Sequence, residues 1–240
     1  MDNLVDLTNG LSGAQIENLL NEAMLYALRQ NRVYFTQPDI DECLNRILVG
    51  WQPTDHQFTQ DIIDHMAIHE LVHAVVGLLA KHHAKMKKVI INLSAPNTPA
   101  YTVFDNPTSN IMTREALFEH LMILLAGRIA EEIFYGVSVT TGAINDFEQA
   151  MKLAEKMIMY YGMGKDVLYP SMSDTYKEKI DNEVSSMIHE AYGCAEFIIR
   201  NSKGLIQEGA DMLQKNRIFT ATELEDIIVD RYSDVLNLKL

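Results

Sequence analysis

Two cysteines, Cys43 and Cys194, are all that the 240 residues contain. Thiols so far apart form neither a disulfide framework nor a thiolate metal site, and a reducing compartment is the expectation that follows. Basic residues are also scarce. Twenty Lys+Arg stand against 33 Asp+Glu, a formal net charge of −13. Such a surface repels phosphate backbones and argues against nucleic acid as a partner. No apolar run approaches the roughly 18 residues of a membrane span. The N-terminal MDNLVDLTNG has neither the basic nor the apolar part of a signal peptide. Repeats and low-complexity segments are missing. So is G-x-x-x-x-G-K-[ST], which means that these residues hold no phosphate-binding loop for ATP.

What is present reads as a mainly α protein (α+β) with a small β-sheet. Hydrophobic residues make up 48% of the chain, enough for the core of one large or two small domains. Ser12 is placed to cap a helix whose Ile16, Leu19, Leu20, Ala23, Met24, Ala27 and Leu28 recur at helical spacing. TQPD puts Thr36 as cap, Pro38 in the first turn and Asp39 at the capping-box position of a second helix that Gly50 ends. The aperiodic WQPTDHQ (51–57) reads as a linker. A long helix follows from about Thr59 to Lys81, with Ile62, Ile63, Met66, Val72, Val75, Val76 and Leu79 as its inner positions. KVIINL (88–93) and AYTVF (100–104) are strand candidates around a turn-rich stretch. Helices are expected from Thr113 to Tyr135 and from TTGAIND to about Tyr161, then two or three more, the last opened by Thr220 and Glu223 as a capping box.

The chemistry concentrates in AIHELVHAVVG (67–77), which holds His69, Glu70 and His73 as H-E-x-x-H. On a helix, residues four apart share a face, so two imidazoles aim at one point. Zn²⁺ takes two such nitrogens at about 2 Å, a third protein ligand and a water. The metal lowers the pKa of that water, and Glu70 is placed to act as general base towards a peptide carbonyl. His65 extends the series to i, i+4 and i+8, but His65 and His73 lie about 12 Å apart along the axis. Only the His69/His73 pair encloses a glutamate. His56, His82, His83, His120 and His189 have no comparable partners in the sequence, and surface or local hydrogen-bonding roles are their default. A third histidine in the H-E-x-x-H-x-x-G-x-x-H spacing is missing, since His82 and His83 do not fit it. Carboxylates remain. LAGRIAEEIFYG (125–136) offers Glu131 and Glu132 on a helix where Gly127 permits close approach. TTGAINDFEQA (140–150) offers Asp146 near a helix start, where the dipole favours an ionised carboxylate. Spacing alone does not choose between them.

These motifs, in this order and followed by YYGMG, resemble the peptidase domain of FtsH-type AAA metalloproteases, the membrane-tethered, ATP-driven zinc proteases of bacteria, mitochondria and chloroplasts. LTNGLSGAQIENLLNEAMLYALRQNR (7–32) resembles the C-terminal lid of that family's ATPase module. IDNEVSSMIHEAYGCAEFII (180–199) resembles a helix late in its peptidase domain. The resemblance implies a lid remnant over 1–50, a linker over 51–58 and a zincin-like metallopeptidase domain over 59–240. It implies Zn²⁺ on His69, His73 and Asp146, Glu70 as the base, and Glu131 orienting a metal ligand by hydrogen bond. It also implies an edge strand at Tyr101, Thr102 and Val103 to which an extended substrate adds. Unfolded or membrane proteins are the implied substrates. The implied assembly is a homohexamer, or a hetero-hexamer, fed by a motor domain that binds the ATP. The implied location is a bacterial inner membrane or an organelle membrane, reached through an N-terminal anchor outside these residues.

The chain departs from the family pattern at Leu71 and Val72, where Ala-Gly is usual, and at Pro99, where a proline removes a backbone donor near a strand edge. Valine demands more room than glycine. Three readings follow. The chain is the proteolytic part of an ATP-dependent zinc endopeptidase, a catalytically silent subunit of a mixed ring, or a helical interaction module with a structural zinc. Glu70 speaks against the last two, because a structural site needs no base.

Overall fold

The computed structural model describes residues 12–40, 43, 58–93, 99–105, 111–136, 140–166 and 173–238. They fall into two compact units, Met1–Phe58 with Asn92–Pro99, and Thr59–Ile91 with Ala100–Leu240. In the first unit, helix α1 (Gly13–Arg29) opens on a capping box between Ser12 and Gln15. Leu19 and Ala23 on its inner face pack with Ile40 and Cys43, flanked by Tyr26 and Phe35. Residues 37–40 begin the second helix. Thr36 N–H donates to Asp39 Oδ2 over 2.7 Å, and Arg32 grips both oxygens of Asp39 at 2.7 Å each. The rest of that helix, apart from Cys43, and the expected linker except Phe58 lie outside the described residues.

The second unit is built around helix α2 (Gln60–Leu79). Its first turn is largely exposed, but from His65 to Leu79 nearly every side chain is buried, so it is a core helix rather than a surface stripe. Ile62, expected inside, is 39% exposed, because the first turn precedes the packed section. By length and composition α2 could also cross a membrane, contrary to the expectation that no stretch qualifies. Yet 67% of its apolar window is buried inside the protein, which accounts for its composition.

Three antiparallel strands lie beside α2, β1 (Met86–Ile91), β2 (Ala100–Phe104) and β3 (Ile218–Thr220), in the order β2-β1-β3. Val89 pairs with Thr102 on one side and Phe219 on the other. Among the described residues β2 therefore lies at an edge of the sheet. The fold is closed by α3 (Arg114–Tyr135), α4 (Ile144–Met159), α5 (Asp174–Asn201), α6 (Lys203–Asn216) and α7 (Ala221–Arg231). α2 packs on α3, α6 and the sheet, α3 packs on α4 and α5, and α7 starts at the capping box of Thr220 and Glu223. The architecture is mainly α with one small sheet.

The two departures inside the H-E-x-x-H segment are absorbed by the core. Leu71 and Val72 are fully buried. Leu71 lies against Gly209 of α6, so closely that a Cβ at 209 would come within 2.5 Å of Leu71 Cδ2. The bare glycine provides the volume that a leucine takes here.

Candidate metal centre

His69 and His73 stand one turn apart on α2, each 7% exposed. Their other ring nitrogens are already engaged. His73 Nδ1 lies 2.7 Å from the carbonyl oxygen of Ile123, which can only accept, so Nδ1 carries the proton. His69 Nδ1 lies 3.3 Å from Glu131 Oε1. Both rings thus turn Nε2 the same way, towards Asp146, whose Oδ2 is 3.2 Å from His69 Nε2 and 3.3 Å from His73 Nε2. One ligand atom from each of His69, His73 and Asp146 falls within 4.8 Å of the other two. Two imidazole nitrogens with fixed tautomers and one carboxylate form a donor set suited to Zn²⁺, and the bonds behind them are those that normally orient metal ligands.

Each partner is held by the local fold. Asp146 is in the first turn of α4, after the 3₁₀ turn Thr141–Ala143, where the helix dipole favours a carboxylate. Glu131 is 1% exposed on α3 and accepts the Thr140 N–H (2.5 Å) and hydroxyl (3.0 Å) as well as His69. Gly127, one turn before Glu131, is what lets α3 approach. A Cβ there would lie 2.5 Å from His69 Nε2 and 2.6 Å from Nδ1 and would collide with Cε1. Glu70 lies on the neighbouring face of α2. The Thr102 hydroxyl of β2 donates to it, with Oγ1 2.8 Å from Glu70 Oε2 and 2.9 Å from the Glu70 carbonyl oxygen.

The electrostatics follow from this crowding. Burial alone would depress the pKa of His69. The hydrogen bonds to Asp146 and Glu131, with the charge of Glu70, outweigh it and raise His69 to about 10. Burial would raise Asp146, but hydrogen bonds from His69 and His73 hold it well below the usual carboxylate range. Glu131 is lowered too, since the bonds from His69 and Thr140 outweigh its desolvation.

The remaining expected residues are placed as follows. His65 stacks on Tyr135 at 3.7 Å between ring centroids and takes no part in the group. Glu132 is bound by Arg128 at 2.8 Å and by the Tyr192 hydroxyl at 2.6 Å, away from the two imidazoles. Tyr101, Thr102 and Val103 are half-buried on β2. His82, His83 and His120 do find partners, which the sequence did not suggest. His82 Nδ1 is 3.0 Å from Glu119, and His83 bonds His120. Thr102, Thr140 and the Ile123 carbonyl also escaped the sequence reading as supports. Their partners are distant in the chain, and nothing periodic marks them.

A model of peptidase family M41 matches residues 58–227. The chain belongs to peptidase family M41. A model of the AAA+ lid domain matches residues 1–42. Relatives of this M41 chain include the ATP-dependent zinc metalloprotease FtsH of Acholeplasma laidlawii, 33% identical over 91% of this chain and 37% of the relative. The protein of that name from Streptococcus pneumoniae is 32% identical over 91% of this chain and 36% of its own length. That from Mesoplasma florum is 31% identical over 95% and 37%. The chain thus spans under two-fifths of the length of these relatives.

Proposed function

We propose that this chain carries the proteolytic centre of an ATP-dependent zinc metalloendopeptidase. His69, His73 and Asp146 hold Zn²⁺, Glu70 is the general base, and Glu131 positions His69. The observation that carries the reading is the convergence of the three ligand atoms while both Nδ1 atoms are tied elsewhere. Bound there, Zn²⁺ supplies a Lewis acid and lowers the pKa of a water. Glu70 takes the proton of that attacking water and passes it to the leaving amine. The Thr102 hydroxyl keeps Oε2 of Glu70 in one orientation. Asp146 has 27% of its side chain exposed, whereas the two imidazoles have 9%, so the centre opens to substrate on the Asp146 side.

The edge of β2 receives an extended substrate along Tyr101, Thr102 and Val103 by main-chain pairing, which suits unfolded or membrane proteins of varied sequence. Residues 1–50 are the lid remnant of an AAA module, 51–58 the linker and 59–240 the peptidase domain. The motor that binds ATP, a hexameric ring and a membrane tether belong to the longer protein that this reading implies.

Zinc content and peptide cleavage test the proposal. The wild type is expected to bind one zinc and cleave a casein-derived peptide. Glu70→Gln should keep the zinc and lose about 10²- to 10⁴-fold in rate, and Asp146→Ala should lose both. A wild type that binds zinc but cleaves nothing would favour the silent-subunit reading prompted by Leu71, Val72 and Pro99.

A further inference from the structure

His83, in the turn after α2, and His120, on α3, form a second pair of imidazoles that the proposed mechanism leaves unused. Glu119, on α3 and 4% exposed, accepts the backbone N–H groups of Lys81 (3.1 Å), His82 (2.7 Å) and His83 (2.7 Å). That carboxylate fixes the turn and, with it, the His83 ring. His83 Nδ1 lies 2.9 Å from the carbonyl oxygen of Ala84 and must donate to it. His83 Nε2 lies 3.0 Å from His120 Nδ1. Burial lowers the pKa of both rings, and His120, which also feels His83 and His73, falls to about 4, so both are neutral near pH 7. With its proton on Nδ1, neutral His83 accepts at Nε2. His120 Nδ1 is then the donor, and His120 Nε2 is left as a bare lone pair. Among the described residues none donates to it.

The pair is placed to meet a substrate. The His83 ring touches the Phe104 ring edge-on at 4.9 Å, at the end of β2. His120 lies within electrostatic reach of His73 and Asp146. One ring of the pair thus meets the end of the edge strand, and the other feels the charge of the candidate metal ligands. An extended peptide carries N–H and C=O groups on both edges. If one edge pairs with β2, the other needs partners from elsewhere.

We propose that His120 is a substrate-binding residue whose Nε2 accepts a hydrogen bond from a main-chain N–H of an extended peptide lying along β2, and that His83 is the positioning residue that fixes its tautomer. The proposal rests on the protease reading above. It adds an acceptor for the peptide edge that does not pair with β2.

The test uses the full chain carrying Glu70→Gln, loaded with zinc, and a fluorescein-labelled octapeptide rich in Val and Phe. Affinities are measured by anisotropy for the parent peptide and for versions N-methylated at one position each. One methylation is expected to weaken binding about 3- to 10-fold because it removes a single neutral hydrogen bond. Adding His120→Phe should weaken the parent by a similar factor and abolish the effect of that one methylation, while the losses at β2-pairing positions persist. His83→Phe should blunt the same position. His120→Gln, which keeps an amide acceptor, should retain part of the sensitivity and serves if the phenylalanine variant does not fold. A methylation profile unchanged by His120→Phe overturns the proposal, and so does a uniform loss for every peptide, the mark of a merely structural role. Failure of the Glu70→Gln protein to bind peptide also overturns it, whereas zinc content and cleavage by the wild type judge the protease reading separately.

Discussion

A single missing Cβ decides whether His69 can occupy its place. Gly127 sits against the imidazole so closely that an added methyl group would overlap the ring. Backbone on α3 cannot withdraw without moving Glu131, which the same turn carries. Gly127→Ala should therefore leave the helices folded, by circular dichroism, and weaken zinc binding about 10- to 100-fold, the range seen when supports behind a ligand are lost. Wild-type affinity in competition with a chelator would refute this. The same histidine makes the metal-free protein sensitive to pH. Its pKa is raised from 6.5 to about 10 by Asp146 and Glu131, against the burial that opposes it. A raised value means that its stabilising contribution is complete below pH 6.5 and is lost as pH climbs towards 10. Asp146, lowered from 3.8, works in the opposite sense and loses its contribution only in strong acid. Chelated protein should accordingly show a melting temperature that falls from pH 7 to pH 10, and His69→Gln should flatten that slope. Zinc must also displace the proton. Calorimetry at pH 8 in buffers of different ionisation enthalpy should record about one proton released per zinc.

Between elements, one bulky side chain in α2 has been matched by one small residue in α6. Leu71 fills the space above Gly209, and an alanine at 209 would press on Leu71 Cδ2. Overpacking of this kind costs about 1–3 kcal/mol. Gly209→Ala should lower stability in urea by that amount, and Leu71→Ala in the same chain should recover part of it. Additive losses in the double variant would mean that the two helices do not share the contact. The pairing also explains why the sequence could only pose the question of Leu71. His69, Glu70 and His73 were legible because helical spacing alone puts them together. Asp146 was legible as a helix-start carboxylate, but its choice over Glu131 and Glu132 came from resemblance. What accommodates Leu71, what fixes His73, and what pairs His83 with His120 are contacts across 37 to 138 residues of chain, since 209 − 71 = 138 and 120 − 83 = 37. No local pattern encodes these.

On the scale of the whole molecule, the centre is assembled from four separate parts of one unit, α2 with its two histidines and glutamate, β2 with Thr102, α3 with Gly127 and Glu131, and the turn into α4 with Thr140 and Asp146. The order and type of the helices could be read from periodicity and caps, because each apolar face and each Ser or Thr cap is a local signal. The packing that joins them is not local, and it is complete without any nucleotide-binding segment. Every group assigned to chemistry lies between His69 and Asp146 in the sequence, outside residues 1–42 that match the lid. The 240 residues contain no phosphate-binding loop. If the centre works as proposed, its hydrolytic step takes nothing from a nucleotide. The chain should cleave short extended peptides at a rate that ATP does not change, and should leave a stably folded protein intact because nothing here unfolds it. Parallel assays with and without ATP, on a peptide and on a folded substrate, check both halves. An ATP-dependent rise in peptide cleavage by this chain would place nucleotide chemistry inside these residues and break the separation between motor and site.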